Sequence, residues 1–386
     1  MIEERDFWIA WAGCPEIGPI RFDHLVKLFG SAEKAWKADE QELVKVNVKG
    51  KWLREVLKYR EKFDWGKLMR QFDDWRMTTV TRLDNNYPAR LREIEKAPMV
   101  LYVMETESNR PEYMKGGATQ RVAPTMDTQP MLAVVGTRRM TSYGRQVTRQ
   151  LVQGLVDAGL GIVSGLMYGV DEIAHRACVE AEGFTVGVWA GGLDTLFKGS
   201  RQALAELILA NGGMLVSEFP LGLQPSAQTF PYRNRIVAGM SCGVLVTEGS
   251  EGSGTLITAG YAAEQGKEVF AVPGPITSMQ SAAPSKLIKA GAKLVTNVGD
   301  ILEELKLSNY ELGIMNNGHK EKLVNLDRGS KEEKKILELL KNEELSLDEL
   351  ARRLKEPVSK VSSCLGMMEL KGWVKMEGDK WRWGSE

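Results

Sequence analysis

Seven short apolar runs crowd the middle of the chain: LAVVG (132–136), LGIVSG (160–165), TVGVWA (185–190), MLVSE (214–218), GVLVTE (243–248), EVFAVPG (268–274) and AKLVT (292–296). Each has the length of a strand, and near-continuous hydrophobicity suits strands buried on both faces. Amphipathic stretches lie between most of them; one places Val147, Leu151, Val152 and Leu155 on a single helical face. Alternation of this kind over 131–305 predicts an α/β fold, a Rossmann-like parallel sheet roofed by helices on both sides. Few other folds fit, because parallel neighbours need crossover connections and each strand must be covered twice.

The pattern changes on either side. Residues 1–80 read as helical: Val26, Leu28 and Phe29 follow an Ile17-Gly18-Pro19 turn, and Ser31 suits an N-cap ahead of Ala35 and Trp36. This predicts an N-terminal helical module of SAM or helix-hairpin-helix type, a kind that holds nucleic-acid backbones. A plain packing module fits equally, since no face is strongly basic. Residues 81–305 form the Rossmann-like domain, within which 105–130 lacks an apolar period and reads as an exposed loop. Residues 306–329 are polar and make a linker. From 330 to 386 helical periodicity returns with Ile336, Leu339 and Leu340, then Leu347, Leu350 and Leu354. A third helix follows Pro357, and the tail WVKMEGDKWRW alternates about Gly378. Three helices and a hairpin outline a winged helix-turn-helix domain.

Composition limits what this architecture binds. Lys+Arg and Asp+Glu are both 51 among 386 residues, so any basic site is a local patch on a neutral body. The start MIEERDFW has no charged-then-apolar leader pattern, and no apolar run reaches the ~18 residues of a membrane span. A cytoplasmic protein without a membrane partner is expected. Cys14, Cys178, Cys242 and Cys364 lie far apart, and His24, His175 and His319 do not complete a zinc spacing. No metal is expected, and the thiols read as reduced.

Nearly all the unusual residues follow the carboxyl ends of the apolar runs: Gly136-Thr137-Arg138, Ser164-Gly165, Gly191-Gly192, Glu218-Phe219-Pro220, Glu248-Gly249-Ser250 and Pro273-Gly274. In open parallel sheets that edge is where ligands bind. Two turns there read as anion sites: GSEGSGT, opening a helix near Thr255, and GTRRMTSYG, which carries Arg138. Neither has the dinucleotide or P-loop spacing, so no NAD or ATP cofactor is expected.

The stretch FPYRNRIVAG (230–239) adds Arg233 and Arg235. On an extended backbone the two share a face; on a helix they splay. Guanidinium forks suit phosphate, and with Arg138 a chain of phosphates fits; pairing with Asp171, Glu218 or Glu248 is the other outcome. Phe230 and Tyr232 either stack bases or pack in the core. Asp171 and His175, four apart on one helix face, are read as a structural pair, because no nucleophile or second carboxylate stands near them in sequence.

In order, AVVGTRRMTSYGR, IVSGLMYGVDEIAH, GGLDTLF, SEFP, FPYRNRIVAGMS, VLVTEGSEGSGTLITA and VFAVPGPITS resemble the DNA-processing protein A family, DprA or Smf. The likeness covers about residues 10–305, and the C-terminal winged helix also resembles the one many members carry. It implies a protein that binds and protects single-stranded DNA and helps load the RecA recombinase onto it in natural transformation, with no catalysis and no cofactor. It implies a homodimer as well. Carried over by position, the DNA pocket comprises Gly136, Thr137, Arg138, Ser164, Gly165, Arg233, Asn234, Arg235, Ser253, Gly254 and Thr255, with Phe230 and Lys198 beside them. The chain departs from the family pattern at Lys198 and Arg201, where Pro and Asn are usual, and at Ala283 and Ser285, where Gly and Asn are usual. The rival reading is a nucleotide-binding enzyme of the phosphoribohydrolase type, whose phosphate turn GSGTLITA echoes. The glutamate such an enzyme needs shortly after the turn is missing; Glu264 stands nine residues past Thr255.

Overall fold

The structure, a computed structural model, describes residues 2–105, 129–307, 331–340, 345–354, 356–370, 374–377 and 380–383. The expected loop at 105–130 and linker at 306–329 lie outside the described residues, apart from their ends. Two compact units divide after Met315.

The first unit is built on a nine-stranded sheet. Its strands are β1 (Met77–Thr81), β2 (Val100–Met104), β3 (Met131–Val135), β4 (Gly161–Ser164), β5 (Thr185–Val188), β6 (Met214–Ser217), β7 (Gly243–Val246), β8 (Glu268–Ala271) and β9 (Lys293–Leu294). They lie in the order β1-β2-β6-β5-β4-β3-β7-β8-β9. The seven apolar runs are β3 to β9, and every pairing among them is parallel. Two further strands extend the sheet antiparallel beyond β6.

Period-two alternation sends Leu132 and Val134 of β3 to one face and Ala133 and Val135 to the other. On the first face Leu132, Val134, Ile162, Leu245 and Phe270 pack against Leu151, Val152 and Leu155 of the helix Ser142–Asp157, joined by Ala174 and Ala177 of the helix Val170–Glu180. On the second, Val135, Val163, Val188 and Val246 meet Ile236 and Val237 of the helix Thr229–Gly239 and Ala259 and Ala262 of the helix Thr255–Glu264. Two-sided cover is thus achieved as the pattern requires.

The N-terminal helices run from Glu4–Ala12 to Trp65–Asp74. Ser31 caps Ala32–Lys37 by accepting from the Lys34 amide at 3.1 Å, as its position predicts. Phe7, Trp11, Phe22 and Leu25 belong to one apolar cluster with Tyr102, Met104 and Leu215 of the sheet. The helices therefore share a core with the sheet, and β1 straddles the boundary drawn at residue 80. No helix among the described residues is long and apolar enough to cross a membrane.

The second unit has the expected three helices, Lys331–Leu340, Leu347–Leu354 and Val358–Leu370, around Ile336, Leu350, Val361 and Leu365. A sheet of order β10-β12-β11 closes it, with β10 (Leu345–Ser346), β11 (Val374–Glu377) and β12 (Lys380–Trp383). The Gly378 turn lies outside the described residues.

One buried acid fixes the loop after β3. Glu248, just past β7, accepts from the Thr141 amide at 2.8 Å and the Thr141 hydroxyl at 2.6 Å, at the start of the helix Ser142–Asp157. A Cβ on Gly144 would stand 2.1 Å from the same carboxylate. Gly144→Ala is therefore expected to lower stability by about 1–3 kcal/mol through overpacking. Urea unfolding checks this against Gly260→Ala, a helical position with nothing within 4 Å, which is expected to be neutral or slightly stabilising.

Candidate functional site

The chain runs β3, β4, β5, β6 outward along the sheet and then returns to place β7 on the other side of β3. Connections diverge at that reversal, and a crevice opens beyond the carboxyl ends of the strands flanking it. Here it measures about 760 Å³. Gly136, Thr137 and Arg138 line it from β3, Gly165 from β4, and Ser253, Gly254 and Thr255 from the start of the helix Thr255–Glu264. Phe230, Arg233 and Asn234 close it from the helix Thr229–Gly239.

The segment 229–239 is helical, so the two arginines splay. Arg233 turns to the crevice while only 2% exposed. Its guanidinium donates to the Val188 carbonyl, and its Nε has no hydrogen-bond partner among the described residues. A Cβ on Gly165 would stand 2.4 Å from Arg233 Nη1 and 2.7 Å from Asp171 Oδ2, so only glycine leaves room for that charge pair. Burial pulls the guanidinium down to about 10, against the attraction of Asp171, and Arg138 lowers it further. It stays charged at neutral pH. Arg138 is exposed and stands 5.5 Å over the Phe230 ring, which is half-buried and edge-on to Trp189. Ser253 and Thr255 hydroxyls meet at 2.7 Å, and the Ser253 oxygen accepts from the Thr255 amide at 3.2 Å.

Three expected residues stand elsewhere. Arg235, also 2% exposed, forms a two-pronged ion pair with Glu218 at 2.6 and 2.5 Å. Burial would lower it, but the Glu218 carboxylate outweighs that and holds it above its ordinary value. It lines a separate cleft with Tyr232, whose ring lies 3.9 Å from its guanidinium, so neither faces the crevice. Ser164 is fully buried and donates to the Val134 carbonyl at 2.7 Å. Lys198 lies outside the crevice lining, 3.6 Å from Asp194 and 5.8 Å from the Trp75 ring. The helix start at Ser142, expected to hold an outside anion, is occupied by Glu248. Met279 and Gln280, in the crevice wall, carried no motif in the sequence; a short 3-10 turn brings them there.

His175 is sealed in the core beside Thr185, 2.8 Å from its hydroxyl. That hydroxyl donates its only proton to the Ile162 carbonyl, so His175 Nδ1 carries the hydrogen and Nε2 is the bare acceptor. Burial, reinforced by Arg233, pushes the imidazole down to about 3. It is neutral at physiological pH, and the expected pairing with Asp171 does not form: His175 meets Thr185, while Asp171 faces Arg233. Glu264 ends its helix far from the crevice and lines the second cleft. Glu264 is therefore not beside the phosphate turn, where a phosphoribohydrolase would need it.

A mostly parallel sheet with a cationic crevice at its switch point, followed along the chain by a winged helix, defines a Rossmann-like protein of two units. The model of DNA recombination-mediator protein A matches residues 78–306, and that of the DprA winged helix domain matches 324–380. The chain belongs to this family, DprA or Smf. Protein Smf of a Synechocystis species is 32% identical over 326 residues, 84% of this chain and 77% of that one. The solved DprA of Streptococcus pneumoniae is similar with a TM-score of 0.63 at 29% identity, over 80% of this chain and 99% of that one. A DprA of Helicobacter pylori, described for its single-stranded DNA binding mode, is similar with a TM-score of 0.50 at 25% identity, over 60% and 96%.

Two outcomes follow from these roles. Arg235→Ala leaves Glu218 buried and unpaired and is expected to cost about 3–5 kcal/mol of stability, whereas Arg138→Ala leaves the thermal midpoint unchanged. Calorimetry separates them. Because the unfolded chain takes up a proton on His175 near pH 6.5 and the fold does not until about 3, that residue's stability share is complete above 6.5 and is lost as pH falls. Between pH 6.5 and 5, unfolding free energies from urea titrations should therefore fall more steeply for the wild type than for His175→Gln, by at most about 1.4 kcal/mol per pH unit.

Proposed function

We propose that the chain binds single-stranded DNA with its backbone phosphates entering the switch-point crevice. The observation that carries this reading is Arg233: a buried, charged guanidinium lining an open crevice, with one N–H unpartnered among the described residues. Arg138 at the rim supplies a second cation, and the half-buried Phe230 supplies a ring edge for a base. The binding described for the Helicobacter pylori relative supports the same reading. Strand protection, transfer of the strand to a RecA-type recombinase, and action as a homodimer in the cytoplasm rest on family membership. The reading assigns no bond-breaking step, since Asp171 serves as counter-charge to Arg233 and His175 is enclosed in the core.

The winged helix is assigned to a protein partner. Its third helix, Val358–Leu370, presents Lys360, and that lysine pairs with Glu356 at 3.2 Å. Specific reading of duplex DNA asks for unengaged cations and amides on that helix.

Fluorescence anisotropy of labelled oligothymidylate tests the proposal. Affinity is expected to fall steeply with salt, with single strand preferred to duplex of equal length. Arg138→Ala should weaken binding and shrink the log–log salt slope by about 0.7, one phosphate contact on a single strand. A flat salt response, or preference for duplex, would defeat the reading.

A further inference from the structure

The turn after β4 displays an aromatic ring in an unusual setting. Leu166 is buried with φ 56, and Gly169 has φ 81, so the backbone between them is tightly constrained. Tyr168 stands between them and is 46% exposed. One face of its ring is covered by the Arg201 guanidinium, whose carbon lies 3.3 Å from the ring centroid. Arg201 is itself pinned by Glu172 at 2.9 Å, and only 11% of its side chain is exposed. Glu172 also holds Arg176 at 3.1 Å. The ring is thus held from beneath, and its exposed surface belongs to the opposite face.

Exposed tyrosines ordinarily swing freely; one clamped by a guanidinium and an ion pair is preorganised to stack. Its place is equally telling. Met167, the preceding residue, lines the crevice, and a Cβ on Gly169, the following one, would stand 2.2 Å from the Thr137 carbonyl and 2.8 Å from Arg138 Cα. The ring therefore adjoins the rim that Arg138 occupies. Lys198, three residues before Arg201, keeps 66% of its side chain exposed on the same segment and adds positive charge beyond the ring.

We propose that Tyr168, backed by Arg201, is a stacking platform for one unpaired base of the strand whose phosphates occupy the crevice. The inference rests on the single-strand reading above and extends the strand's path from β3 across the ends of β4 and β5. Phe230 contributes an edge inside the crevice; Tyr168 offers a face outside it.

The test uses the full chain and labelled oligothymidylate at one moderate salt concentration. Tyr168→Ala is expected to weaken binding about tenfold, the scale of one lost base–aromatic stack, and Tyr168→Trp to restore it. The salt slope should not change, because no phosphate contact is removed. With a strand of equal length made of abasic sites, wild type and Tyr168→Ala should bind alike. Equal affinity of Tyr168→Ala and wild type for oligothymidylate would overturn the platform, as would an equal loss on the abasic strand. A loss accompanied by a lower sedimentation mass would assign the ring to contact with a second copy and overturn it too. Failure of the wild-type chain to bind any single strand would sink the underlying reading instead, which separates the two.

Discussion

Arg233 and Asp171 set the terms on which the rest of the crevice exists. A guanidinium at 2% exposure is far from water, and a charge so placed survives only with compensation. Asp171 supplies part of it, and the Val188 carbonyl takes one N–H. The pair fits because Gly165 has no side chain where the two groups meet. An arginine satisfied completely by the protein would have no use for a ligand. Arg235, closed on Glu218 by two bonds, is that case, and the contrast between neighbours on one helix gives the crevice its meaning.

The sheet then explains where this charge ends up. The strand order reverses between β3 and β7, which run parallel, and the gap this opens in the row of crossovers lets a helix start and an arginine-bearing helix converge. Glu248 holds the β3 loop against the helix at Ser142, which leaves Arg138 outward at the rim. Buried carboxylates thus do the positioning, and cations face the crevice.

Much of this was legible before the fold. Strands buried on both faces must be apolar throughout, so β3 to β7 announced themselves; β8 and β9 were legible from their apolar runs although both residues of β9 are exposed. β1 and β2 did not: MTTVT carries three threonines and is buried only because the N-terminal helices cover it, with Arg5 reaching the Thr79 carbonyl and hydroxyl. The crevice residues at strand ends were readable because turns betray themselves by glycine. Which arginine faces the crevice was not readable, since residues two apart on a helix point about 200° from one another and the sequence allowed an extended reading. The departures from the family pattern also resolve. Ala283 is buried behind Gly249, its amide bonded to that carbonyl at 2.8 Å, and Lys198 and Arg201 lie outside the crevice. None of these positions, nor Ser285, lines the crevice.

A crystal structure of the chain with a short oligothymidylate puts the central claim to the most direct trial. The account predicts a backbone phosphate within hydrogen-bond distance of the Arg233 guanidinium, in the space bounded by Gly136 and Gly254. A strand bound elsewhere, with Arg233 closed on Asp171 and no phosphate beside it, would contradict it.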